Sequence, residues 1–368
     1  MKRVLILTSS GGTAHDVSAY AIQEWLAVTH PGLPVLVDHV LERSSFFYRA
    51  TNYAYNTIQK KALWMHRIFW WILELEDLIR LGTVTFGRSY FLRLIQEFRP
   101  DLIVSTHPHI NRGYFAFAKT VLGSDLRCVV CCTELDGGYG FSRNWFAPET
   151  DRFFALTPGV ARALRGRGMP SEKIVVQGPL LAPAFYGVRA APDVSQLPLL
   201  VLGSGANGAN NHALLLGVLR ALAGRIRVAV LCGRRQSAYD SVSGWAARHP
   251  ELELHPLAFQ GPSEMARLYQ EAWAFVARPG ARTASEALAL GCPLIFNCYG
   301  ITMPQETQAL RFFKELGILR MVNQPVDLMR QLSFWLSNPE AYRHFRDACM
   351  SCNFGVDPHA YISQLMDG

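Results

Sequence analysis

Arg278-Pro279-Gly280-Ala281-Arg282-Thr283-Ala284-Ser285-Glu286-Ala287-Leu288-Ala289-Leu290-Gly291-Cys292-Pro293 is the stretch whose reading decides the fold. The apolar run before it, residues 273–277, reads as a buried strand. Pro279-Gly280 breaks that strand. Thr283 predicts an N-cap, with Glu286 three residues on as its capping-box partner. Residues 284–290 are strong helix formers, and Gly291 ends the helix as a C′ glycine. A second apolar strand follows at 293–297. The unit is strand, glycine turn, short helix, strand. A helix N-terminus presents free N–H groups and a positive dipole end, which suits an anion such as a diphosphate. Glu286, read in the first turn, offers a carboxylate to a ribose diol. Its alternative role is to cap its own helix.

The rest of the chain repeats this grammar. Residues 4–8 form an apolar strand, Ser9-Ser10-Gly11-Gly12-Thr13-Ala14-His15 a small-residue loop, and 16–28 a helix. That is the opening of a nucleotide-fold domain. His15 is the only imidazole of the loop and stands at the strand's C-terminal edge, where such sheets place their sites; a helix-capping histidine is the alternative. Strands follow at 33–39, at 101–106 (ending Thr106-His107-Pro108) and at 127–132. Thr133-Glu134-Leu135-Asp136 closes the last of these. Glu134 and Asp136 are candidates to orient His15 or bind an acceptor hydroxyl, and solvated loop carboxylates otherwise. Gly137-Gly138-Tyr139-Gly140 reads as a mobile loop. Residues 187–196, small, polar and Pro-containing, read as an interdomain linker.

A second domain then starts with a strand at 199–202. Gly203-Ser204-Gly205-Ala206-Asn207-Gly208 follows, before a helix at 212–223. Glycines let backbone amides approach a diphosphate closely. No Lys-[Ser/Thr] follows, so this is not a P-loop. No acidic residue follows the next strand, so a nicotinamide fingerprint fits poorly. The strand 227–231 ends in Cys232-Gly233-Arg234. Helices are expected at 264–273, at 312–336 and at 342–349.

Composition sets the class. The chain has 368 residues, 50% hydrophobic and 18% charged, enough for two packed domains and too apolar for disorder. The net charge of +7, carried mostly by arginine, fits an anionic partner. Nothing resembles an RNA-binding motif with interleaved aromatics, so nucleic acid is not expected. The N-terminal apolar run is too short for a signal peptide, and no stretch supplies the roughly 18 apolar residues of a spanning helix. Residues 46–98 interleave Trp64, Trp70 and Trp71 with bases such as Arg67, the composition of an amphipathic surface lying in a membrane interface; ordinary core-facing helices are the alternative. The expected address is cytoplasmic and peripherally membrane-associated. Two Cys-x-x-Cys pairs, Cys128/Cys131 and Cys349/Cys352, suggest zinc only weakly, because strand alternation points Cys128 and Cys131 to opposite faces.

The opening stretch resembles P-G-G-x-T-x-x-E-A-L-x-x-G-x-P, the donor signature of GT-B glycosyltransferases. The likeness is to the group of monogalactosyldiacylglycerol synthases, processive diacylglycerol glucosyltransferases and the peptidoglycan N-acetylglucosaminyltransferase, a family 28-like group. Gly12-Thr13-Ala14-His15-Asp16-Val17-Ser18-Ala19 resembles that group's G-G-G-H-x-x-S-A, with Thr13 and Ala14 in place of glycines. Asn144 to Phe153 resembles W-x-x-P-x-x-D-x-[FY]. Gly178 to Phe185 resembles G-x-P-[IV]-R-P-x-F, with Ala182 in place of arginine. Tyr299 to Ala309 resembles P-G-Q-E-x-x-N, with Ala309 in place of asparagine.

The resemblance implies an α/β, GT-B fold: two Rossmann-like domains facing across a cleft. It implies an acceptor and membrane-binding domain at 1–186, a linker at 187–197, a nucleotide-sugar domain at 198–340, and a helical segment, 341–368, returning toward the first domain. It implies a UDP-sugar donor, a lipid acceptor and no metal or other cofactor. His15 falls on the general base, with Glu134 or Asp136 nearby. The donor would meet Gly203, Ser204, Gly205, Asn207, Gly208, Gly233, Arg234, Phe259, Met265, Arg278, Gly280, Ala281, Arg282, Thr283 and Glu286, with Gln305 and Glu306 on sugar hydroxyls. Trp64, Arg67, Trp70 and Trp71 would face the membrane. The implied reaction is inverting hexosyl transfer to a diacylglycerol-type hydroxyl. A UDP-sugar 2-epimerase, a non-catalytic nucleotide-sugar binder and transfer to another acceptor are the alternatives.

Overall fold

The computed structural model of the chain describes residues 2–10, 13–61, 84, 87–187, 189, 196–203 and 212–367. Contacts divide it into two compact units. The first is Met1–Pro183 with Met303–Gln308 and Gly355–Gly368; the second is Ala184–Thr302 with Ala309–Phe354. The helix Pro339–Ser351 therefore groups with the second unit and the last helix, Pro358–Met366, with the first.

The first unit is built on a six-stranded parallel sheet. Its strands are β1 (Val4–Leu7), β2 (Val35–Asp38), β3 (Leu102–Ser105), β4 (Arg127–Cys131), β5 (Arg152–Ala155) and β6 (Ile174–Val176). They lie in the order β2-β1-β3-β4-β5-β6. Val4 registers with Val35 on one side and Leu102 on the other. Val4 to Leu7 are buried completely, as a strand covered on both faces must be, and this is why they read as an unbroken apolar run. The chain moves from β1 outward to β2 and then crosses to β3. The gap beyond the C-terminal ends of β1 and β3 is the switch point at which such sheets place ligands.

The first unit is closed by the helix Pro358–Met366. Asp357 caps it through the amides of His359 and Ala360. Tyr361 stacks on Phe154 with ring centroids 4.6 Å apart, and Trp25 meets His359 at 5.5 Å. The terminal carbonyls, which a helix leaves unsatisfied, are taken by cations. Arg152 Nη1 donates to Gln364 O at 2.8 Å, Lys2 Nζ to Met366 O at 3.0 Å and Arg127 Nη2 to Asp367 O at 2.8 Å. Replacing Arg152 by Ala is expected to lower the unfolding free energy by about 1 kcal/mol, since two cations remain on the same helix end. Thermal unfolding would read it, and an unchanged midpoint would remove the capping role.

The second unit repeats the plan. Its strands are β7 (Leu199–Leu202), β8 (Arg227–Gly233), β9 (Glu253–Ala258), β10 (Ala274–Ala277), β11 (Leu294–Asn297) and β12 (Met321–Val322), all parallel, in the order β12-β11-β10-β7-β8-β9. The switch point here lies between β7 and β10. Gly203 ends β7, and its amide donates to Val276 O of β10 at 2.7 Å. A Cβ on Gly203 would stand 2.7 Å from the Phe275 ring and 3.1 Å from the Ala277 methyl, so the close approach of the two strand ends requires glycine. Arg189, within the expected linker, donates to the carbonyls of Leu288, Ala289 and Met350 and so caps the helix that ends at Leu290.

Two readings gain detail. The stretch 312–336 is not continuous helix. Helices Glu306–Glu315 and Pro325–Ser337 flank the two-residue strand β12, too short to register as an apolar run. All eight cysteines are free thiols, and burial pushes Cys128 and Cys131 up to about 12, so both stay protonated and unreactive.

Candidate functional site

The first unit's switch point is organised around His15. The helix that follows β1 spans Thr13–Thr29, so His15 lies in its first turn and not in a loop. Its Nδ1 is 2.7 Å from Thr106 O, just past the end of β3, and 3.1 Å from Thr133 Oγ1, just past β4. Thr106 Oγ1 returns a hydrogen bond to His15 O at 3.1 Å. A carbonyl only accepts, so Nδ1 carries the proton and Nε2 keeps its lone pair. Among the described residues Nε2 has no hydrogen bond. Burial, the largest cause, lowers the His15 pKa to about 4, against the opposing pull of the Thr106 carbonyl and Asp16. The imidazole is therefore neutral at physiological pH.

The expected partners of His15 were Glu134 or Asp136. The structure gives that task to Thr106 and Thr133, and the carboxylate acting on the ring is Asp16. Asp136 Oδ1 accepts from the Gly137 amide at 2.8 Å, and its own amide donates to Gln308 Oε1 at 3.4 Å. Asp16 closes the far side of the helix start. It accepts from Thr8 Oγ1 at 3.1 Å and Ser10 Oγ at 2.9 Å, and lies 3.2 Å from His39 Nε2. The hydrogen bond to Asp16 raises the His39 pKa.

Around His15 stand residues to which the sequence assigned no role. His107 meets it edge-on at 4.5 Å and Trp145 lies at 6.1 Å. Asn111 Nδ2 donates to Asn144 O and Trp145 O, each at 3.3 Å, and Asn144 Nδ2 lies 3.5 Å from His109 Nδ1. His107 Nδ1, Asn111 Oδ1, Asn144 Oδ1 and Trp145 Nε1 are buried with no hydrogen-bond partner among the described residues. Buried polar atoms are satisfied in working proteins, so this cluster suits water or a ligand's hydroxyls. The signal available was Thr106-His107-Pro108 at the end of β3.

The loop 137–140 is tethered and not free. Gln308 Nε2 donates to Gly140 O at 2.8 Å and Thr307 Oγ1 to Tyr139 O at 3.2 Å. Gly140 has φ 90°, and a Cβ there would strike the Pro304 carbonyl. Gln305 and Glu306 group by their contacts with this first unit and not with Glu286. Glu306, 3% exposed, closes its own turn by accepting from the Met303 amide at 2.8 Å.

The second unit's switch point carries the stretch quoted first. Its helix is Ala281–Leu290, entered through Gly280 with no side-chain cap and left through Gly291 at φ 65°. The Thr283–Glu286 capping box does not form. Gly280 and Ala281 can already enter the helix, so Thr283 falls inside it and Glu286 a turn later. Among the described residues the first-turn amides of Ala281, Arg282 and Thr283 have no side-chain acceptor. Glu286 is 2% exposed; Oε1 accepts from Arg282 Nε at 2.7 Å and Oε2 from Tyr269 OH at 3.2 Å.

Arg278 donates to the carbonyls of Tyr299 at 3.3 Å and Ile301 at 2.7 Å, pinning the loop beyond β11. At the ends of β8 and β9, the Arg234 guanidinium lies over the exposed Phe259 ring at 3.7 Å, with Gly233 beside it at φ 64°. Met265 is buried on the helix Pro262–Glu271. Ser204, Gly205, Asn207, Gly208, Trp64, Arg67, Trp70 and Trp71 lie outside the described residues. Among the described residues no cluster of three or more His, Cys, Asp or Glu is arranged as metal ligands.

This geometry can be compared with known proteins. Residues 15–180 match the family model of monogalactosyldiacylglycerol (MGDG) synthase. The chain is 22% identical over 368 residues to a processive diacylglycerol beta-glucosyltransferase of Bacillus thuringiensis, covering 95% of this chain and 89% of that one. Acinetobacter baumannii MurG superposes with a TM-score of 0.61 at 14% identity over the whole of both chains. The chain is a GT-B glycosyltransferase. The Neisseria meningitidis UDP-GlcNAc 2-epimerase, solved with UDP-GlcNAc, also superposes on this glycosyltransferase, with a TM-score of 0.59 at 12% identity over both chains. Fold alone therefore does not choose the reaction, and the site residues must.

The glycosyltransferase should lose stability on acidification through a defined window. His15 is harder to protonate folded (about 4) than unfolded (6.5). The unfolded chain therefore takes up more protons between those values, and stability falls as pH drops through them. His107, also lowered by burial, adds in the same direction. His39, raised by Asp16, adds stability only as pH falls toward 6.5 and nothing further below it, so it offsets only the upper edge of the window. The His15 part, from 6.5 to about 4 at about 1.4 kcal/mol per pKa unit, is about 3.5 kcal/mol in full, and about 2 kcal/mol of it is lost between pH 7 and pH 4.5. Denaturant titrations at pH 7 and pH 4.5 would read it, and equal stabilities would contradict the buried neutral imidazole.

Proposed function

We propose that the enzyme moves a hexose from a UDP-sugar to the free hydroxyl of a diacylglycerol-type lipid, inverting an α-linked donor to a β-glycoside. The observation that carries this reading is His15: its Nδ1 proton is committed to the Thr106 carbonyl, leaving Nε2 as a neutral base at a sheet switch point. In one displacement the lipid oxygen bonds to the anomeric carbon. The bond from that carbon to the diphosphate oxygen breaks, and UDP leaves with the electron pair. Nε2 takes the hydroxyl proton. Glu286 would accept from the ribose diol. The amides in the first turn of Ala281–Leu290 would stabilise the departing diphosphate.

The acceptor class is supported by the names of the relatives and by the first unit's surface. On the helix Phe46–Lys61, Phe46 is 77% exposed and Tyr53 76%, and Arg49 lies 6.0 Å from the Phe46 ring centroid. Exposed aromatics beside a cation suit the headgroup level of a bilayer, and the net charge of +7 suits an anionic one. No helix among the described residues is long and apolar enough to cross a membrane.

A UDP-release assay with a panel of UDP-sugars, with and without diacylglycerol in anionic vesicles, tests the reading. Release that depends on diacylglycerol is expected. Release without lipid, isomerised donor, or UDP binding with no release would favour another acceptor, an epimerase or a binding protein.

A further inference from the structure

The Arg282–Glu286 pair is arranged the wrong way round for a helix. The cation stands in the first turn, at the positive dipole end, and the anion one turn later, whereas helices gain from the opposite order. The two ends of the pair differ in freedom. Glu286 is 2% exposed, and its Oε2 is held by Tyr269, which is 1% exposed and stacked on Phe275 at 4.5 Å. The Arg282 side chain is 27% exposed and reaches Glu286 through Nε alone. Its two terminal nitrogens have no hydrogen bond among the described residues. Those nitrogens are the fork with which arginine grips phosphate. One carboxylate oxygen is thus fixed by the core, and the other is covered by a cation that can leave.

We propose that Arg282 is an exchangeable latch on Glu286. In the empty protein Arg282 covers Oε1. When the nucleotide enters, the ribose diol replaces Arg282 on Oε1 and the guanidinium transfers to the diphosphate. Glu286 is uncovered without loss only when phosphates are present to receive the cation. Arg282 is on this view the specificity residue that makes the site prefer a nucleoside diphosphate to a bare nucleoside. The inference rests on the donor-site reading of Glu286 given above.

The test is to titrate UDP and uridine separately by calorimetry into the full chain and its Arg282→Gln and Arg282→Lys variants. Gln keeps a donor for Glu286 and removes the charge. Arg282→Gln should weaken UDP by roughly tenfold or more, the scale of a lost charge-assisted phosphate contact, while uridine binds as before or better. Arg282→Lys should restore most of the preference for UDP. Equal weakening of UDP and uridine would mean that Arg282 only steadies Glu286, and would overturn the latch. So would unchanged UDP affinity in Arg282→Gln. If the unsubstituted, folded protein binds neither ligand, the donor-site reading itself fails, and the latch falls with it.

Discussion

Replacing His15 by Ala is expected to lower kcat by about 10²–10⁴-fold, the usual worth of a general base, while leaving UDP affinity unchanged. The separation follows from the structure. His15 makes its contacts with Thr106, Thr133, His107 and Trp145, all of the first unit, whereas Glu286 and its partners belong to the second. Its protonation makes a further demand. With a pKa lowered to about 4 by burial, the ring is an unprotonated base throughout the neutral range. The acid limb of the kcat/KM profile should therefore lie well below the ordinary histidine value of 6.5, moving toward 4. His15→Gln, which can still donate to Thr106 O, should be as inactive as Ala. An active Gln variant would show that the ring only organises the helix start, and a midpoint near 6.5 would contradict the buried neutral base.

Replacing Glu286 by Ala should act on binding and on stability together. Hydrogen bonds to a charged acceptor are worth about 1.5–3 kcal/mol, so loss of the ribose contact should weaken UDP by roughly 10- to 150-fold. The same substitution leaves the buried Tyr269 hydroxyl without its acceptor, at about 1–3 kcal/mol. Arg282 is partly exposed and turns to solvent, so it adds little. Glu286→Gln keeps an acceptor for Tyr269 and should recover most of the stability but not the affinity. Calorimetric UDP titration beside thermal unfolding separates the two effects. Loss of stability with unchanged UDP binding would reduce Glu286 to a structural residue.

The strands were legible because both sheets are parallel and covered on both faces. Val4–Leu7, Leu102–Ser105 and Leu199–Leu202 must then be continuous apolar runs, and glycine or polar residues must follow where each run ends. The switch points were legible for the same reason, since the residues that follow β1, β7 and β10 in sequence include the glycines and His15. The capping box failed because local spacing could not reveal that Gly280 had already started the helix.

The partners of His15 were hidden for a different reason. Its strongest contact is a backbone carbonyl, which has no sequence signature, while Thr133 arrives from the end of β4 and Trp145 from the short 3-10 turn Arg143–Trp145. Burial hid the state of Glu286: in sequence it is a first-turn acid, and in the fold it is a covered carboxylate shared by Arg282 and Tyr269.

The most direct measurement is identification of the product. The full chain is incubated with diacylglycerol in anionic vesicles and the UDP-sugar that releases UDP. The lipids are extracted, weighed by mass spectrometry, and the anomeric coupling is read by proton NMR. The predicted result is a hexosyl diacylglycerol with a β-linkage that is absent with His15→Ala. An α-linked product, or sugar that leaves UDP without ever joining the lipid, would contradict inverting transfer by a His15-activated lipid hydroxyl.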